Sequence, residues 1–392
     1  MPADTERFRR TREALQAAKL DAVVCRLAEN VVLLSGYYPM VGASVVFFPA
    51  EGEPILLAPR FEQEYFPRSG VTDIRVFDTW QNRYPLPNDN LARLLGQIAD
   101  ERKLKGMRIG FEGSFEAIAP NGMIGEPTAA GAPTRKIVGD AFGDGVVDAT
   151  DLLYELRALK TPMEIEKLRI ASEVASLSLR AFKEQAVEGR REVEVAAAVD
   201  YAITVDGTGY KGARFARGFA QVTSGAATTA GNWNFPTASD RKLERGDFVM
   251  IELGCVVDGY WSDLTRTVTV GKASNQQREI YDTIKAAHAA SIAAVRPGAS
   301  GMEVDLAGRA IIVAAGYGDA FVHHTGHGIG FRYHEPIPFV APHSPHVLAE
   351  GHVHSVEPGI YLEGVGGCRL EDIVAVTARG GDTLSKTDFG LD

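Results

Sequence analysis

The chain has 392 residues, 45% of them hydrophobic and 23% charged, with a net charge of −10 at pH 7 and a sequence pI near 5.5. That length allows a large core and suggests two domains, while the acidity argues against nucleic acid or an anionic membrane as partner. No apolar run approaches the roughly 20 residues of a membrane span, the first seven residues lack a signal peptide's apolar stretch, and the scattered Cys25, Cys255 and Cys368 form neither a disulfide framework nor a zinc-finger spacing, so a cytoplasmic protein is expected.

Residues 1–155 read as an α/β domain. Hydrophobic periodicity predicts a helix over 7–19, then strands over 22–25, 45–48 and 55–57, the last two flanking the turn Glu51-Gly52-Glu53. A glycine-rich stretch, 139–145, precedes the boundary with a second domain over 156–392. There Thr161-Pro162-Met163-Glu164 is a capping box with proline at the first helical position. The same box recurs at Ser274-Asn275-Gln276-Gln277 and Ser300-Gly301-Met302-Glu303. Further helix starts at Glu192-Val193-Glu194-Val195 and Glu303-Val304-Asp305-Leu306 suggest an internal duplication, with helices outside and a curved antiparallel sheet inside.

Between and after those helices, carboxylates interrupt apolar strands. Glu252 breaks the run 248–257 and Glu371 breaks 368–374, although carboxylates in such strands are almost never buried without a partner. Asp258-Gly259 is a two-residue hairpin signal. A tight hairpin there pairs Val257 with Tyr260, Gly254 with Asp263 and Glu252 with Thr265. Glu252 and Asp263 then lie diagonally on one face, roughly 7–8 Å apart at their backbones. Gly254 would leave the space between them empty, room for one or two cations, and Cys255 would face away. A second strand, 353–357, ends at Pro358-Gly359 and returns after the glycine-rich bend 364–367, which brings Glu357 and Glu371 onto neighbouring strands. His327 is flanked by Gly326 and Gly328, so its backbone can approach another group closely. Four carboxylates and a neutral histidine sum to a charge that two divalent cations would balance; without metal, repulsion would keep some carboxyls protonated.

Other readings of these residues stand beside that one. Glu252 could form a structural ion pair with Arg266 or Arg369, whereas Glu357 and Glu371 would each need a compensating partner of their own. His352 and His354 have strand parity opposite to Glu357 and should face away; His343 and His346 lie in a proline-punctuated loop; His324 could fall on either side. Neither a Walker loop nor a Rossmann fingerprint is present.

The motifs Gly259-Tyr260-Trp261-Ser262-Asp263-Leu264-Thr265-Arg266-Thr267, His323-His324-Thr325-Gly326-His327-Gly328-Ile329-Gly330 followed by His334-Glu335, Ser355-Val356-Glu357-Pro358-Gly359-Ile360-Tyr361 and Arg369-Leu370-Glu371-Asp372 together resemble the prolidase and Xaa-Pro aminopeptidase family. The resemblance implies a pita-bread catalytic domain over 156–392, shared with creatinase and methionine aminopeptidase, and a smaller creatinase- or prolidase-like α/β domain over 1–155. It implies a dinuclear centre held by Glu252, Asp263, His327, Glu357 and Glu371; four oxygen ligands and one imidazole suit harder ions, which favours manganese over cobalt, zinc or iron. It further implies that Glu357 handles the proton of a metal-bound hydroxide, that His334 and His323 contact the scissile carbonyl or the substrate's end group, and that Arg369 steadies the carboxylates. The expected activity is hydrolysis of Xaa-Pro peptide bonds, as dipeptidase or aminopeptidase, by a homodimer acting on small proline peptides. Two departures from the family pattern bear on substrate: Glu252 stands where Asp is usual, and Asn232, Trp233, Asn234 and Phe235 stand where an active-site histidine is usual. They leave two alternatives open: a creatinase-like or ectoine-hydrolase-like amidohydrolase on a small non-peptide substrate, with or without metal, and a non-catalytic binding protein.

Overall fold

A computed structural model describes residues 4–78, 86–113, 131–226, 237–385, 387 and 390–392. The chain divides into two compact units, Met1–Arg157 and Ala158–Asp392.

The first unit is an α/β layer structure. It contains α1 (Thr5–Ala17), β1 (Ala22–Cys25), α2 (Ala28–Ser35), β2 (Val45–Pro49), β3 (Ile55–Pro59), β4 (Asp73–Phe77), α3 (Pro87–Glu101), β5 (Ile109–Phe111), α4 (Ala132–Phe142) and β6 (Val146–Asp148), and α5 (Thr150–Ala158) runs out of it. The strands form one sheet in the order β4-β3-β2-β1-β5-β6, antiparallel through β1, β2 and β3 and parallel at β3–β4, β1–β5 and β5–β6. Helix α1 starts two residues before its sequence expectation because the Asp4 side chain accepts from the Arg7 amide and caps it.

The second unit repeats a helix pair and an antiparallel sheet. Helices α6 (Pro162–Gln185) and α7 (Glu192–Gly207) precede β7 (Ala216–Ser224), β8 (Phe248–Val257) and β9 (Tyr260–Thr269); α8 (Asn275–Ala294) and α9 (Gly301–Ala314) precede β10 (Gly326–Gly328), β11 (Glu335–Val340), β12 (Val353–Val356), β13 (Gly359–Leu362), β14 (Gly366–Arg369), β15 (Asp372–Thr377) and β16 (Gly380–Thr383). All three expected capping boxes form, at Thr161, Ser274 and Ser300. Each satisfies two amides that a helix start would otherwise leave without partners. The strands make ladders β7-β8-β9, β11-β10-β12-β15-β16 and β13-β14. Backbone bonds stitch these ladders together: Glu371 N donates to Thr265 O at 3.1 Å and Trp261 N to Gly330 O at 2.8 Å.

The hairpin β8–β9 has the register read from its turn, with Val257 opposite Tyr260, Gly254 opposite Asp263 and Glu252 opposite Thr265. Asp258 and Gly259 both have positive φ, 48° and 89°, as a turn matched to strand twist requires. One face of this ladder, carrying Ile251, Leu253, Cys255, Leu264 and Val268, packs with Val174, Leu179, Phe182, Val199 and Ile203 of α6 and α7 into a buried core. Cys255 faces away from the carboxylates, as its parity demands. The remaining positions, Glu252, Gly254, Asp263 and Thr265, occupy the opposite face.

One expectation fails on that face: the space over Gly254 is filled. Strand β7 pairs Phe219 with Gly254, and a Cβ at Gly254 would collide with the Phe219 ring. The ring covers the glycine, supplying the apolar surface that a side chain would otherwise give. Gly254→Ala is therefore expected to destabilise the chain by about 1–3 kcal/mol, the usual cost of overpacking, measured by urea unfolding. Adding Phe219→Ala should relieve part of that loss, so that the double variant falls short of the sum of the single ones.

Candidate metal centre

Five side chains from separate ladders meet on this face, and all are buried: Glu252 on β8, Asp263 on β9, His327 on β10, Glu357 just past β12, and Glu371 between β14 and β15. Their ligand atoms fall into overlapping groups in which every member lies within 4.8 Å of the others: Glu252, Asp263 and Glu371; His327, Glu357 and Glu371; and Asp263, His327 and His334. Local folding explains the convergence. Val356 pairs with Asp372, so Glu357 and Glu371 flank the end of that ladder, where Pro358 turns the chain into β13. The ladder β10–β11 shifts register between His327 and Gly328, a bulge that re-aims a side chain. Close backbone approach accompanies it, for a Cβ on Gly326 would meet Ser355 O and one on Gly328 would meet Ile337 O.

Hydrogen bonds fix the first layer around these groups. His327 Nδ1 lies 2.9 Å from Gly328 O, a bond that requires Nδ1–H and turns the Nε2 lone pair inward. That lone pair faces Asp263 Oδ2 and Glu357 Oε1, each at 3.5 Å, an arrangement that calls for a cation or a proton between them. Ser355 Oγ donates to Glu357 Oε1 at 3.0 Å. Thr265 Oγ1 lies between Glu252 Oε2 at 2.7 Å and Glu371 Oε2 at 2.8 Å, and its single proton serves one of them at a time. Arg369 is buried and donates to Glu252 Oε2, to Thr265 Oγ1 at 3.0 Å and to the Tyr361 hydroxyl at 2.8 Å. The ion pair of Glu252 with Arg369 thus coexists with membership of the cluster, while Arg266 pairs with Asp372 instead.

Two buried oxygens in the cluster, Asp263 Oδ2 and Glu371 Oε1, accept no hydrogen bond. Burial first, then the neighbouring carboxylates, push Asp263 and Glu371 well above the usual carboxylate range. Burial also raises Glu357, against the pull of His327 and Arg369. Glu252 goes the other way: burial opposes ionisation, but Arg369, Tyr333 and Thr265 outweigh it and hold the carboxyl below its ordinary value.

The histidines around the centre divide by position. The His334 ring stands 3.9 Å from that of His327 at 90°. Burial and the neighbouring His327 and His324 keep His334 well below the usual imidazole range. His323 is one layer further out: Nδ1 lies 2.7 Å from His324 O and Nε2 lies 3.1 Å from the Tyr361 hydroxyl. Burial and Arg369 hold His323 neutral, so its Nδ1–H donates to the carbonyl and Tyr361 donates to Nε2. His324 sits at the rim, its Nε2 3.9 Å from Glu357. His343 and His346 lie in a loop. His352 and His354 belong to none of the ligand groups. The segment Asn232-Trp233-Asn234-Phe235 lies outside the described residues.

Tyr333 completes the centre and has no counterpart in the sequence reading. Its hydroxyl lies 2.5 Å from Glu252 Oε1 and 2.8 Å from Asp263 Oδ1. It sits in an irregular stretch, 329–334, where no periodicity indicates which way a side chain points; adjacency to His334 was the one available signal.

The match to known proteins spans both units. Residues 166–378 match the model of metallopeptidase family M24, and residues 7–119 match that of the creatinase/prolidase N-terminal domain. The chain is 31% identical over 389 residues to an Xaa-Pro dipeptidase of Pyrococcus horikoshii, covering 98% of each chain. It is 40% identical over 241 residues to an Xaa-Pro dipeptidase of Pyrococcus furiosus, covering 62% of this chain and 67% of that one. The crystal structure of the prolidase from Pyrococcus horikoshii superposes with a TM-score of 0.77 at 29% identity, over 99% of this chain and 100% of that one. The fold is accordingly the pita-bread arrangement with its smaller N-terminal α/β partner, and the chain belongs to metallopeptidase family M24.

Proposed function

We propose that this metallopeptidase hydrolyses Xaa-Pro peptide bonds in small peptides, with divalent metal held by Asp263, His327, Glu357 and Glu371 and with Glu252 at the far end of the same cluster. The observation that carries the reading is the pair of buried oxygens without hydrogen-bond donors, Asp263 Oδ2 and Glu371 Oε1, beside an inward-facing imidazole lone pair. Oxygen-rich donors with a single imidazole suit a harder ion, manganese first among them. Bound divalent ions would polarise the amide carbonyl and make water nucleophilic near neutral pH.

The protein's own groups supply the rest. Glu357, raised by burial and held at Oε1 by Ser355, takes the proton of the attacking water and returns it to the departing proline nitrogen. His334, neutral and against His327, is placed to meet the carbonyl oxygen or the substrate's end group. Both ring nitrogens of His323 are turned to His324 O and Tyr361, so it acts as a positioning residue: it orients Tyr361, which accepts from Arg369, which in turn holds Glu252. The buried free thiols of Cys25, Cys255 and Cys368 suit a reducing, cytoplasmic compartment, and the active species is read as a homodimer. Similarity to Xaa-Pro dipeptidases across 98% of the chain does not favour the creatinase-like or non-catalytic alternatives.

The test is a panel of Xaa-Pro dipeptides and tripeptides run beside elemental analysis, with creatine and ectoine as controls. Turnover of the proline peptides alone is expected, and none with metal fully loaded would overturn the reading. Glu371→Ala should lower both metal content and activity, and unchanged metal per chain would remove Glu371 from the ligand set.

Metal should also change how stability depends on pH. Carboxylates whose folded pKa is raised bind more protons folded than unfolded, so stability falls as pH climbs from the ordinary carboxylate range through their raised values. The depressed histidines act oppositely, but only below about pH 6.5, where the unfolded chain protonates them. The metal-free chain should therefore lose the raised carboxylates' contribution as pH climbs from the ordinary carboxylate range, and saturating Mn(II) should flatten that part of the slope. Urea midpoints with and without metal across this range read the difference.

A further inference from the structure

The two ends of the cluster are built differently. At the His327 end, Asp263 Oδ2 and Glu371 Oε1 have no donor and the imidazole lone pair faces two carboxylates. At the Glu252 end every oxygen is engaged. Glu252 Oε1 accepts from the Tyr333 hydroxyl at 2.5 Å, and Oε2 accepts from Arg369 and lies 2.7 Å from Thr265 Oγ1. The Tyr333 hydroxyl is also 2.8 Å from Asp263 Oδ1, so one phenol stands between the two carboxylates that would have to share a second ion.

Packing holds the phenol there. Tyr333 is 2% exposed, with Phe219 edge-on at 5.1 Å and 77°, Trp261 at 5.9 Å and 61°, and the His334 ring at 4.6 Å. Phe219 is itself seated over Gly254, so the absent side chain at 254 sets the ring that sets the tyrosine.

We propose that Tyr333 and Arg369 close the Glu252 end of the centre, so that the chain carries one divalent ion, at Asp263, His327, Glu357 and Glu371, in place of the two that the sequence suggests. This rests on the metal-centre reading above and fixes its stoichiometry. Tyr333 is then the residue that sets the ion count: its hydroxyl proton does for Glu252 and Asp263 what a second cation would do. Glu252, one methylene longer than the Asp usual in the family, is the side chain whose length brings both oxygens to these donors.

The experiment uses the full chain, stripped with chelator, reloaded with excess Mn(II) and desalted, then read by elemental analysis and electron paramagnetic resonance. Wild type should hold one Mn(II) per chain with the resolved hyperfine lines of an isolated ion. Tyr333→Phe, which keeps the ring and removes the donor, should double the content to two and give the broadened signal of exchange-coupled ions. Two ions in wild type would overturn the proposal while leaving the metal centre intact. A folded Tyr333→Phe that stays at one ion, or loses it because the phenol was a ligand, would overturn it as well. If circular dichroism shows that variant misfolded, Tyr333→Leu makes the same comparison. No Mn(II) bound to folded wild type at saturation would remove the metal centre itself, and this proposal with it.

Discussion

Like charges forced together away from water organise this molecule. Glu371 is buried in one tight group with Asp263 and in another with Glu357; burial pushes all three towards their protonated forms, and the neighbouring carboxylates add to it at Asp263 and Glu371. A fold does not accumulate such repulsion by packing alone, because burying an unpaired carboxylate costs several kcal/mol. Arg369 answers one of the negative charges. What remains is a concentrated negative site with orphaned oxygens, which is how a protein encodes affinity for a cation that folding itself does not supply.

Strand geometry makes the concentration possible. Glu252 and Asp263 come from one hairpin, Glu357 and Glu371 from two strands bent at the Pro358 turn and the glycine-rich return, and His327 from a bulged ladder between them. Alternation sends the intervening residues to the other face, where α6 and α7 cover the first hairpin. A site on paired strands is held more rigidly than one on loops. Crosslinks such as Glu371 N to Thr265 O hold Glu371 at the hydroxyl of Thr265, 106 residues away, which it shares with Glu252.

Much of this was legible in the sequence, and the boundary has a physical cause. The hairpin register followed from two turn residues that need positive φ, and the helix starts from capping boxes; both signals are local, and local signals survive in a single sequence. The convergence of the five ligand candidates was legible too, since a carboxylate in an apolar strand must find a counterpart. What escaped was packing between elements distant in the chain. Strand β7 reads Ala-Arg-Gly-Phe-Ala-Gln-Val-Thr-Ser, without clean alternation, and nothing local says that Phe219 will lie over Gly254. Tyr333 was hidden for the same reason: an irregular segment has no period from which to infer direction. For His323 the motif points to the substrate, whereas in the fold its two ring nitrogens meet the His324 carbonyl and the Tyr361 hydroxyl.

The unequal ends of the cluster show how a metal site can be tuned without changing its ligand list. Carboxylate oxygens offer the same donor chemistry at the His327 end and at the Glu252 end, yet the surrounding hydrogen bonds decide which of them are available. A carboxylate already bonded to a guanidinium and a phenol must give up charge-assisted bonds before it can ligate, and such bonds are each about twice as strong as neutral ones. An orphaned oxygen has no such bond to lose and gains on binding what burial took from it. Two carboxylates of similar burial, 6% exposed for Glu252 and 0% for Glu371, therefore differ in how their oxygens are engaged, and the tyrosine among the partners of Glu252 is packed by an aromatic ring resting on a glycine.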